Sequence, residues 1–327
     1  MIAQLAAAEH GRATEPGAYA VVSPCRNEAH LMKRTLDSVI AQTHLPKIWV
    51  IVDDGSTDET PQVLAEYAAR MPWIRIITRK NRGHRAVGPG VVEAFYDGLE
   101  EVDLDAVQHV AKLDLDVDLP ERYFEILCTR LDTSPRLGSV SGKPYARNAA
   151  GRLVSERRGD ELSVGMTKLW RVDCFKDIGG IVRGVMWDAI DCHTARMKGW
   201  TPRSFDEPDL RFEHLRPMGS SQSGIHAGRR RHGAGQWYMG SNPLFFAGSC
   251  IFRMRDAPVV TGGLSMMAGY VLAALRGAPR HPDQALRHFV KAYQRRALVM
   301  GKSRATRAIE ATRERVWRAR ARGVNEA

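Results

Sequence analysis

Cysteine is scarce in this chain, and the few cysteines follow no disulfide or metal-site spacing. The 327 residues include five cysteines, an odd number, scattered and without a CxxC pair. This usage argues against a disulfide framework and a zinc knuckle, and it favours a reducing compartment. The N-terminus has no basic start ahead of its short apolar run, so we interpret residues 1–17 as a disordered lead-in rather than a signal peptide. We therefore expect a cytoplasmic protein.

Strongly apolar runs are lacking as well. Residues 233–252 and 257–275 carry no Lys, Arg, Asp or Glu, but both are rich in glycine. A helix of nineteen residues would be about 28 Å long, close to the thickness of a bilayer core. The mean hydropathy of both stretches is nevertheless weak for a spanning helix. Three alternatives stay open for residues 233–275: buried core, contact in the plane of a membrane surface, or a spanning helix.

Acidic residues are rare near the C-terminus. Residues 276–322 hold 14 Lys or Arg and three acids, which accounts for the net charge of +11, while the rest of the chain is neutral. Helical spacing from 283 to 300 places a set of apolar residues on one face: Leu286, Phe289, Val290, Tyr293 and Ala297. Such a basic amphipathic helix suits an anionic membrane surface on the inner face of the cell membrane, and a solvated helical face is the alternative. The region lacks the interleaved aromatic residues of a single-strand nucleic-acid binder, so nucleic acid is not the expected partner.

Strand and helix patterns alternate from residue 18 onward. The order βαβαβαβ predicts an α/β fold with a mostly parallel, doubly wound sheet flanked by helices. One predicted helix has Asp58 as its N-cap and Pro61 in its first turn. We divide the chain into the lead-in, an α/β domain over 18–218, and a mainly helical, basic C-terminal extension over 219–327.

Acids follow two of the predicted strands. "WVIVDDGSTDET" (49–60) carries Asp53 and Asp54, and "KLDLDVDLP" carries Asp114, Asp116 and Asp118. Alternate residues of an extended stretch point the same way, so paired carboxylates there can hold a divalent cation. Because ligands bind at the carboxyl ends of strands in open α/β sheets, both clusters predict a metal–nucleotide site. A solvated, turn-forming acid cluster is the alternative for the second stretch.

Four blocks taken together are far more specific than either acid cluster. Residues 21–60, "VVSPCRNEAHLMKRTLDSVIAQTHLPKIWVIVDDGSTDET", closely resemble the opening of the family 2 glycosyltransferases of the GT-A fold. "LDLDVDLP" resembles their DxD strand, "LWRVDCFKDIGG" the segment before the acceptor loop, and "WDAIDCHTARMKGW" the helix of the catalytic base. The resemblance covers roughly residues 18–218, and its blocks occur in the order of the family. It implies a metal-dependent, inverting glycosyltransferase.

The resemblance also implies roles for individual residues on the donor side. Residues of the first loop would lie against the nucleotide: Pro24, Arg26 and Glu28. Asp53 or Asp54 would accept hydrogen bonds from the base or ribose, and Asp114 would lie near the ribose. Asp116 would contact Mg²⁺ or Mn²⁺ on the diphosphate.

Further candidates complete the predicted site. Asp118 shares the acidic stretch with Asp116, and His214 follows a short strand-like segment. His214 would complete the metal shell as a late histidine does in some GT-A enzymes; a local hydrogen-bonding role is the alternative. Arg82 lies in "NRGHRAVGPG", which could form an anion-binding loop at a helix start or a plain connection.

The base helix departs from the family pattern. Trp187 precedes Asp188 where the family usually has Glu-Asp, and Asp191 lies one helical turn further on. The resemblance implies that Asp188 is the general base, with Asp191 as the alternative. The QxxRW motif of processive synthases is absent, because "QRRAL" at Gln294 lacks the tryptophan. We therefore expect transfer of one sugar per encounter.

The function most consistent with these residues is transfer of a sugar from a nucleotide-sugar donor, a UDP-sugar before others, to an acceptor hydroxyl. The acceptor would be a saccharide or a lipid-linked precursor in bacterial polysaccharide or glycolipid assembly. A sugar-nucleotide nucleotidyltransferase is a second hypothesis, but "SPCRNE" replaces the glycine-rich loop expected after its first strand. A non-catalytic binding module with a nucleic-acid-binding tail is the third.

Overall fold

Two β-sheets organise the fold in the computed structural model, which describes residues 17–83, 88–216, 224–256 and 258–321. The strands are β1 Tyr19–Cys25, β2 Ile48–Asp53, β3 Ile74–Thr78, β4 His109–Leu113, β5 Val117–Asp118, β6 Leu137–Ser141, β7 Lys143–Arg147, β8 Leu153–Ser155, β9 Thr167–Arg171, β10 Thr201–Ser204 and β11 Arg211–His214. The larger sheet has the order β10-β6-β9-β4-β1-β2-β3, and the smaller one has the order β5-β11-β7-β8.

The larger sheet is mostly parallel, as the alternation of strands and helices predicted. Only β9 runs antiparallel to its neighbours, β4 and β6. The central strands β1, β2 and β4 are buried along almost their whole length, because helices cover both faces of the sheet. Their carboxyl ends consequently meet at one edge.

Eleven helices surround the sheets in the described ranges. Six belong to the α/β part: α1 Ala29–Ile40, α2 Thr60–Arg70, α3 Pro89–Leu99, α4 Tyr123–Thr133, α5 Val172–Asp177 and α6 Trp187–Met197. Five form the C-terminal part: α7 Gly224–Met239, α8 Pro243–Arg253, α9 Thr261–Leu275, α10 Gln284–Met300 and α11 Lys302–Ala321. The helical nature of the C-terminal part is confirmed. Residues 1–16 and the proposed boundary at 218 lie outside the described residues.

The start of α2 differs by one residue from the prediction. The helix begins at Thr60 with Pro61 in its first turn, as predicted, but the cap residue is Glu59 rather than Asp58. The carboxylate of Asp58 still accepts a hydrogen bond from the backbone N–H of Thr60 at 3.0 Å. It also accepts from the N–H of Ala29, 3.3 Å away, so this acid joins the starts of α1 and α2.

The acidic strand is not continuous, which corrects the sequence interpretation. The chain leaves the larger sheet after Leu113 and enters the smaller sheet at Val117. Asp114, Asp116 and Asp118 therefore do not follow one another along a single strand. The rule that alternate residues share a face does not apply across this break.

The apolar face of α10 also has a different partner from the one expected. All five residues that helical spacing placed on one face are buried, together with Gln294, so the face itself is confirmed. Leu286 and Val290 pack against Ile190 of α6, and Phe289 and Tyr293 pack against Ile309 of α11. The face is thus part of the core and cannot lie on lipid. No helix in the described ranges combines the length and apolar character needed to cross a membrane.

Candidate active site

The carboxyl ends of β1 and β2 bring the first loop against the first acid pair. The strands are parallel neighbours, with Pro24 opposite Val52 and Cys25 opposite Asp53. Arg26 Nη1 donates a hydrogen bond to the backbone oxygen of Asp54 at 2.5 Å. The residues that the resemblance assigned to nucleotide binding are therefore in contact.

Asp53 has an unused acceptor. Its Oδ1 accepts hydrogen bonds from the backbone N–H and hydroxyl of Ser56 at 2.9 and 2.5 Å. Its Oδ2 is buried and has no hydrogen-bond partner in the part of the chain that the structure describes. The turn needs glycine at Gly55, where φ is +72° and a Cβ would lie 2.5 Å from Asn81 Cα. Because buried polar atoms are normally paired, Asp53 Oδ2 is suited to accept a hydrogen bond from a ligand.

Asp54, in contrast, is already engaged. Its carboxylate forms ion pairs with Arg79 at 2.8 Å and with Arg82 at 2.6 Å, and its side chain is 10% exposed. Arg82 also contacts Glu93 at 3.1 Å. Asp54 therefore fixes the arginines of the third loop, which leaves Asp53 as the acid with a spare acceptor.

Asp116 lies beside the end of β11. The backbone N–H of Leu215 donates to the carbonyl of Asp116 at 2.8 Å. This bond places His214 Nε2 4.0 Å and Arg216 Nε 3.4 Å from Asp116 Oδ2. Arg216 also forms an ion pair with the buried Glu28 of the first loop. The nucleotide loop and the acidic stretch are thereby joined.

Glu156 is a candidate that sequence reasoning missed. His214 Nδ1 lies 2.7 Å from Glu156 Oε1, and the other oxygen, Oε2, is buried with no hydrogen-bond partner among the described residues. Burial alone would lower the pKa of His214, but the carboxylates of Glu156 and Asp116 outweigh it and raise the pKa. A carboxylate on one ring nitrogen orients the other nitrogen, as at many metal sites. The stretch "SERRGDE" gives no local signal, since only the fold brings it to His214.

The carboxylate of Asp118 contacts Arg34 instead of the Asp116–His214 pair. It forms an ion pair with Arg34 at 2.5 Å, and the same guanidinium contacts Glu213 at 2.9 Å.

The oxygen and nitrogen donors of Asp116 and His214 suit Mg²⁺ or Mn²⁺, and the unpaired oxygen of Glu156 is nearby. The residues fit a cation in part, because within the described ranges no group of three or more His, Cys, Asp or Glu is arranged to hold one.

Asp188 lies in the first turn of α6 and makes no side-chain hydrogen bond to a described residue. Met186, just before the helix, has a φ of 64°, which is uncommon for a residue with a side chain. A Cβ on Gly165 would lie 2.9 Å from Asp188 Cβ, so only glycine fits there without displacement. The carbonyl of Met166 accepts from the backbone N–H of Asp114 at 2.8 Å. The 165–166 segment thus joins the end of β4 to the candidate base.

Asp191 is a core residue. Its two oxygens accept hydrogen bonds from Lys168 Nζ at 2.7 and 2.9 Å, and one also accepts from Trp170 Nε1 at 2.8 Å. Burial would lower the pKa of Lys168, but the Asp191 carboxylate outweighs it and raises that pKa to about 12. Lys168 is therefore charged, and both side chains of the pair are fully buried. The structure does not bring Asp191 to a surface that an acceptor could reach.

Trp187, which departs from the family pattern, lies within cation–π distance of two buried lysines. Lys112 Nζ is 5.3 Å from the centroid of its ring and Lys168 Nζ is 5.4 Å from it. Lys112 also bonds the carboxylate of Asp114, and Lys168 donates to the backbone oxygen of Asp188 at 2.7 Å. The ring of Trp187 stabilises the two lysine charges, and these lysines in turn contact Asp114 and Asp188.

The fold is that of an α/β protein of the GT-A type, and sequence comparison agrees with it. Residues 20–179, just under half of the chain, match the family described as Glycosyl transferase family 2. A poly-beta-1,6-N-acetyl-D-glucosamine synthase of Staphylococcus aureus is 31% identical over 130 residues. That match covers 39% of this chain and 29% of the synthase, so the chain matches less than a third of the length of this relative.

Solved structures support the fold. S. aureus TarS 1-349 in complex with UDP has a TM-score of 0.51 at 16% sequence identity, covering 95% of this chain and 93% of that one. A longer TarS structure gives the same score and identity, covering 92% of this chain and 55% of that one. The GT-A fold predicted from the sequence is therefore confirmed.

Proposed function

We propose that the protein is an inverting glycosyltransferase that moves one sugar from a nucleotide-sugar donor to an acceptor hydroxyl. The observation that carries the proposal is that the first loop contacts both acidic segments. Arg26 donates to the backbone oxygen of Asp54, and Glu28 pairs with Arg216, which also contacts Asp116. Acids of separate segments are thereby gathered at the carboxyl edge of the sheet, where α/β folds bind ligands.

The donor nucleotide would bind at the ends of β1 and β2. The unused oxygen of Asp53 would accept a hydrogen bond from the base or ribose, and Asp114 would lie near the ribose. Pro24 and Arg26 would line the pocket, while Asp54 would hold Arg82 for the diphosphate. The similar TarS structure is of a UDP complex, so a UDP-sugar is the first donor to test.

Asp116 and His214 would hold Mg²⁺ or Mn²⁺ on the diphosphate, with Glu156 orienting the histidine. When bound, such a cation offsets the charge that develops on the nucleoside diphosphate leaving group. Asp118, paired with Arg34, would contribute to the surroundings of the site and not to the cation itself.

Asp188 would be the general base. The acceptor oxygen would bond to the anomeric carbon while the bond from that carbon to the diphosphate oxygen breaks, and Asp188 would take the hydroxyl proton. Asp188 is partly exposed and makes no ion pair with a described residue, so it suits this task better than Asp191, which is neutralised by Lys168 inside the core.

The acceptor would be a saccharide or a lipid-linked precursor in polysaccharide or glycolipid assembly. The sequence relative named for poly-N-acetylglucosamine synthesis supports a saccharide product. The concentration of positive charge in the C-terminal part supports work at an anionic membrane surface, on its cytoplasmic face.

A thermal-shift screen tests the proposal. UDP and GDP are added with and without Mn²⁺ to wild type, Asp116→Asn and the distant control Asp105→Asn, whose side chain is 86% exposed. Because a ligand that binds only the native state raises its stability, UDP with Mn²⁺ should raise Tm in wild type and control but not in Asp116→Asn. Wild type and the Asp105→Asn control should also hydrolyse the nucleotide-sugar donor, and Asp116→Asn should not. Release of pyrophosphate from a nucleoside triphosphate, or no response to any nucleotide, would refute the proposal.

A further inference from the structure

Exposed apolar side chains are concentrated in one part of the molecule. Fifteen large apolar residues are exposed in the described ranges, and twelve of them lie between residues 244 and 300. Nine of the twelve belong to α8, α9 and the connection between them: Leu244, Ile251, Phe252, Val259, Val260, Leu264, Val271, Leu272 and Leu275. Single exposed apolar residues are ordinary, but a concentration of this kind marks a surface that binds something.

The outer face of α9 is apolar from Leu264 to Leu275. Leu264, Ala268, Val271, Leu272 and Leu275 are exposed, at positions i, i+4, i+7, i+8 and i+11. These spacings define one helical face. The most exposed member, Leu275, retains 79% of its accessible surface.

The outer face of α8 has the same pattern. Leu244, Gly248, Ile251 and Phe252 are exposed at i, i+4, i+7 and i+8. Val259 and Val260 extend the apolar surface across the connection to α9, where they are 63% and 48% exposed. We call α8, α9 and their connection the apolar hairpin.

The inner faces of the apolar hairpin are already occupied. A Cβ on Gly233 of α7 would lie 1.9 Å from the carbonyl oxygen of Met266, and one on Gly269 would lie 2.1 Å from that of Arg230. Only glycines permit so close a crossing of α7 and α9. Gln294 of α10 holds the start of α8 by accepting a hydrogen bond from Asn242 N at 2.6 Å. Because α7 and α10 pack against the inner side of the apolar hairpin, its outer faces point to solvent.

The excess of positive charge around the apolar hairpin favours an anionic partner. Residues 224–300 contain eleven Lys or Arg and two acids. Arg255 and Arg276 are exposed next to the apolar residues Phe252 and Leu275. Two copies of such a surface would repel each other, whereas an anionic bilayer attracts the arginines and accepts the apolar side chains.

We propose that the outer face of the apolar hairpin docks in the plane of an anionic lipid bilayer. The proposal deepens the proposed function, since it would hold the active site near a lipid-linked acceptor, and it moves the membrane contact away from α10 and α11. Docking is measured without sugar transfer, so the two proposals can fail separately.

Vesicle flotation with the full chain tests docking. Wild type is compared with the triple variant Ile251→Ser, Leu264→Ser, Leu275→Ser on vesicles of phosphatidylglycerol with phosphatidylcholine, and of phosphatidylcholine alone. The matched control carries Leu45→Ser, Leu153→Ser and Val154→Ser, which are exposed apolar residues outside the apolar hairpin. Removing three apolar side chains that would enter the bilayer should weaken binding to the anionic vesicles at least about tenfold, and the control should bind like wild type.

The charge requirement is tested with the variant Arg255→Gln, Arg276→Gln. Each arginine lost should weaken binding to the anionic vesicles roughly fivefold. All variants should keep the wild-type Tm, because the substituted side chains are exposed.

Three results would overturn docking: no flotation of wild type, equal flotation of the triple variant, or a dimer in light scattering that the triple variant abolishes without any vesicle binding. The last result would make the apolar hairpin a self-association surface. A protein that floats as expected but hydrolyses no nucleotide-sugar would refute the proposed function and leave docking intact.

Discussion

Glu310 of α11 forms an ion pair with Arg196 of α6, with Oε1 3.1 Å from Nε. Arg196 is fully buried and lies in the last turn of the helix whose first turn carries Asp188. The same carboxylate pairs with Arg203 of β10. The last helix is thus joined to the base helix through buried charge, and truncating it would disturb the candidate active site.

Replacing Glu310 should therefore destabilise the whole fold. In Glu310→Gln the guanidinium of Arg196 stays buried without its counter-charge, which should lower the free energy of unfolding by about 3 kcal/mol. Denaturant unfolding measures the effect. Glu314→Gln is the matched control, since Glu314 lies one turn further along α11 and pairs at the exposed surface with Arg318. Equal stability of the two variants would contradict a structural role for α11.

The contribution of Glu310 should depend on pH. Burial on its own would raise its pKa, but Arg203 and Arg196 outweigh it and hold the pKa below its ordinary value. A carboxyl with a lower pKa in the folded state stabilises above its unfolded pKa, and the contribution is lost as pH falls through the folded pKa. The stability difference between wild type and Glu310→Gln should be largest near pH 7 and shrink below about pH 4. A difference that stays constant down to pH 3 would rule out this linkage.

The two acids of α6 should give opposite phenotypes. Asp188→Asn should slow sugar transfer by about 10² to 10⁴, while Tm and UDP binding stay at wild-type values. Asp191→Asn leaves Lys168 buried without its counter-charge and should lower the free energy of unfolding by about 3 kcal/mol. Steady-state kinetics and calorimetry on both variants separate the roles. If Asp188→Asn transfers sugar at the wild-type rate, the base lies elsewhere.

Gly165→Ala should impair catalysis without impairing donor binding. The added methyl would meet Asp188 Cβ at 2.9 Å and push the carboxylate out of position. Misplacement of a reacting group by about 1 Å can cost about 100-fold in rate. Gly184→Ala is a suitable control, because a Cβ there would meet Tyr238 Cε1 at an ordinary 3.8 Å. We expect kcat to fall only in Gly165→Ala, with UDP affinity unchanged in both; equal kcat values would show that the close contact does not matter.

Much of the fold could be predicted because it depends on local patterns. Apolar runs identified β1 to β4, with acids after β2 and β4, and helical spacing identified the buried face of α10. The spacing could not identify what covers that face, since burial by α6 and burial by lipid require the same residues. The break between β4 and β5 was missed for a similar reason: Val117 is as apolar as a residue that continues a strand, and only its pairing with His214 shows the change of sheet.

In the candidate site, too, local motifs were predictable from the sequence and tertiary contacts were not. Asp53, Asp116 and Asp188 could be found because they stand in motifs that a family resemblance covers. Sequence patterns could not tell which acids are neutralised in the fold, as Asp54 is by two arginines and Asp191 by Lys168. Ion pairs between distant segments depend on the tertiary structure alone.

Glu156 gives the sharpest test of the cation site, since no motif contains it. Its contact with His214 Nδ1 at 2.7 Å leaves the Nε2 side of the ring toward Asp116. Loss of such a supporting carboxylate typically weakens metal affinity 10- to 100-fold, so Glu156→Gln should raise the Kd for Mn²⁺ by about that factor. Titration calorimetry with Mn²⁺ and UDP measures it directly. Glu213→Gln is the control, because Glu213 precedes His214 in β11 but pairs with Arg34 and Arg147 instead. If both variants bind Mn²⁺ like wild type, Glu156 does not position His214 for a cation.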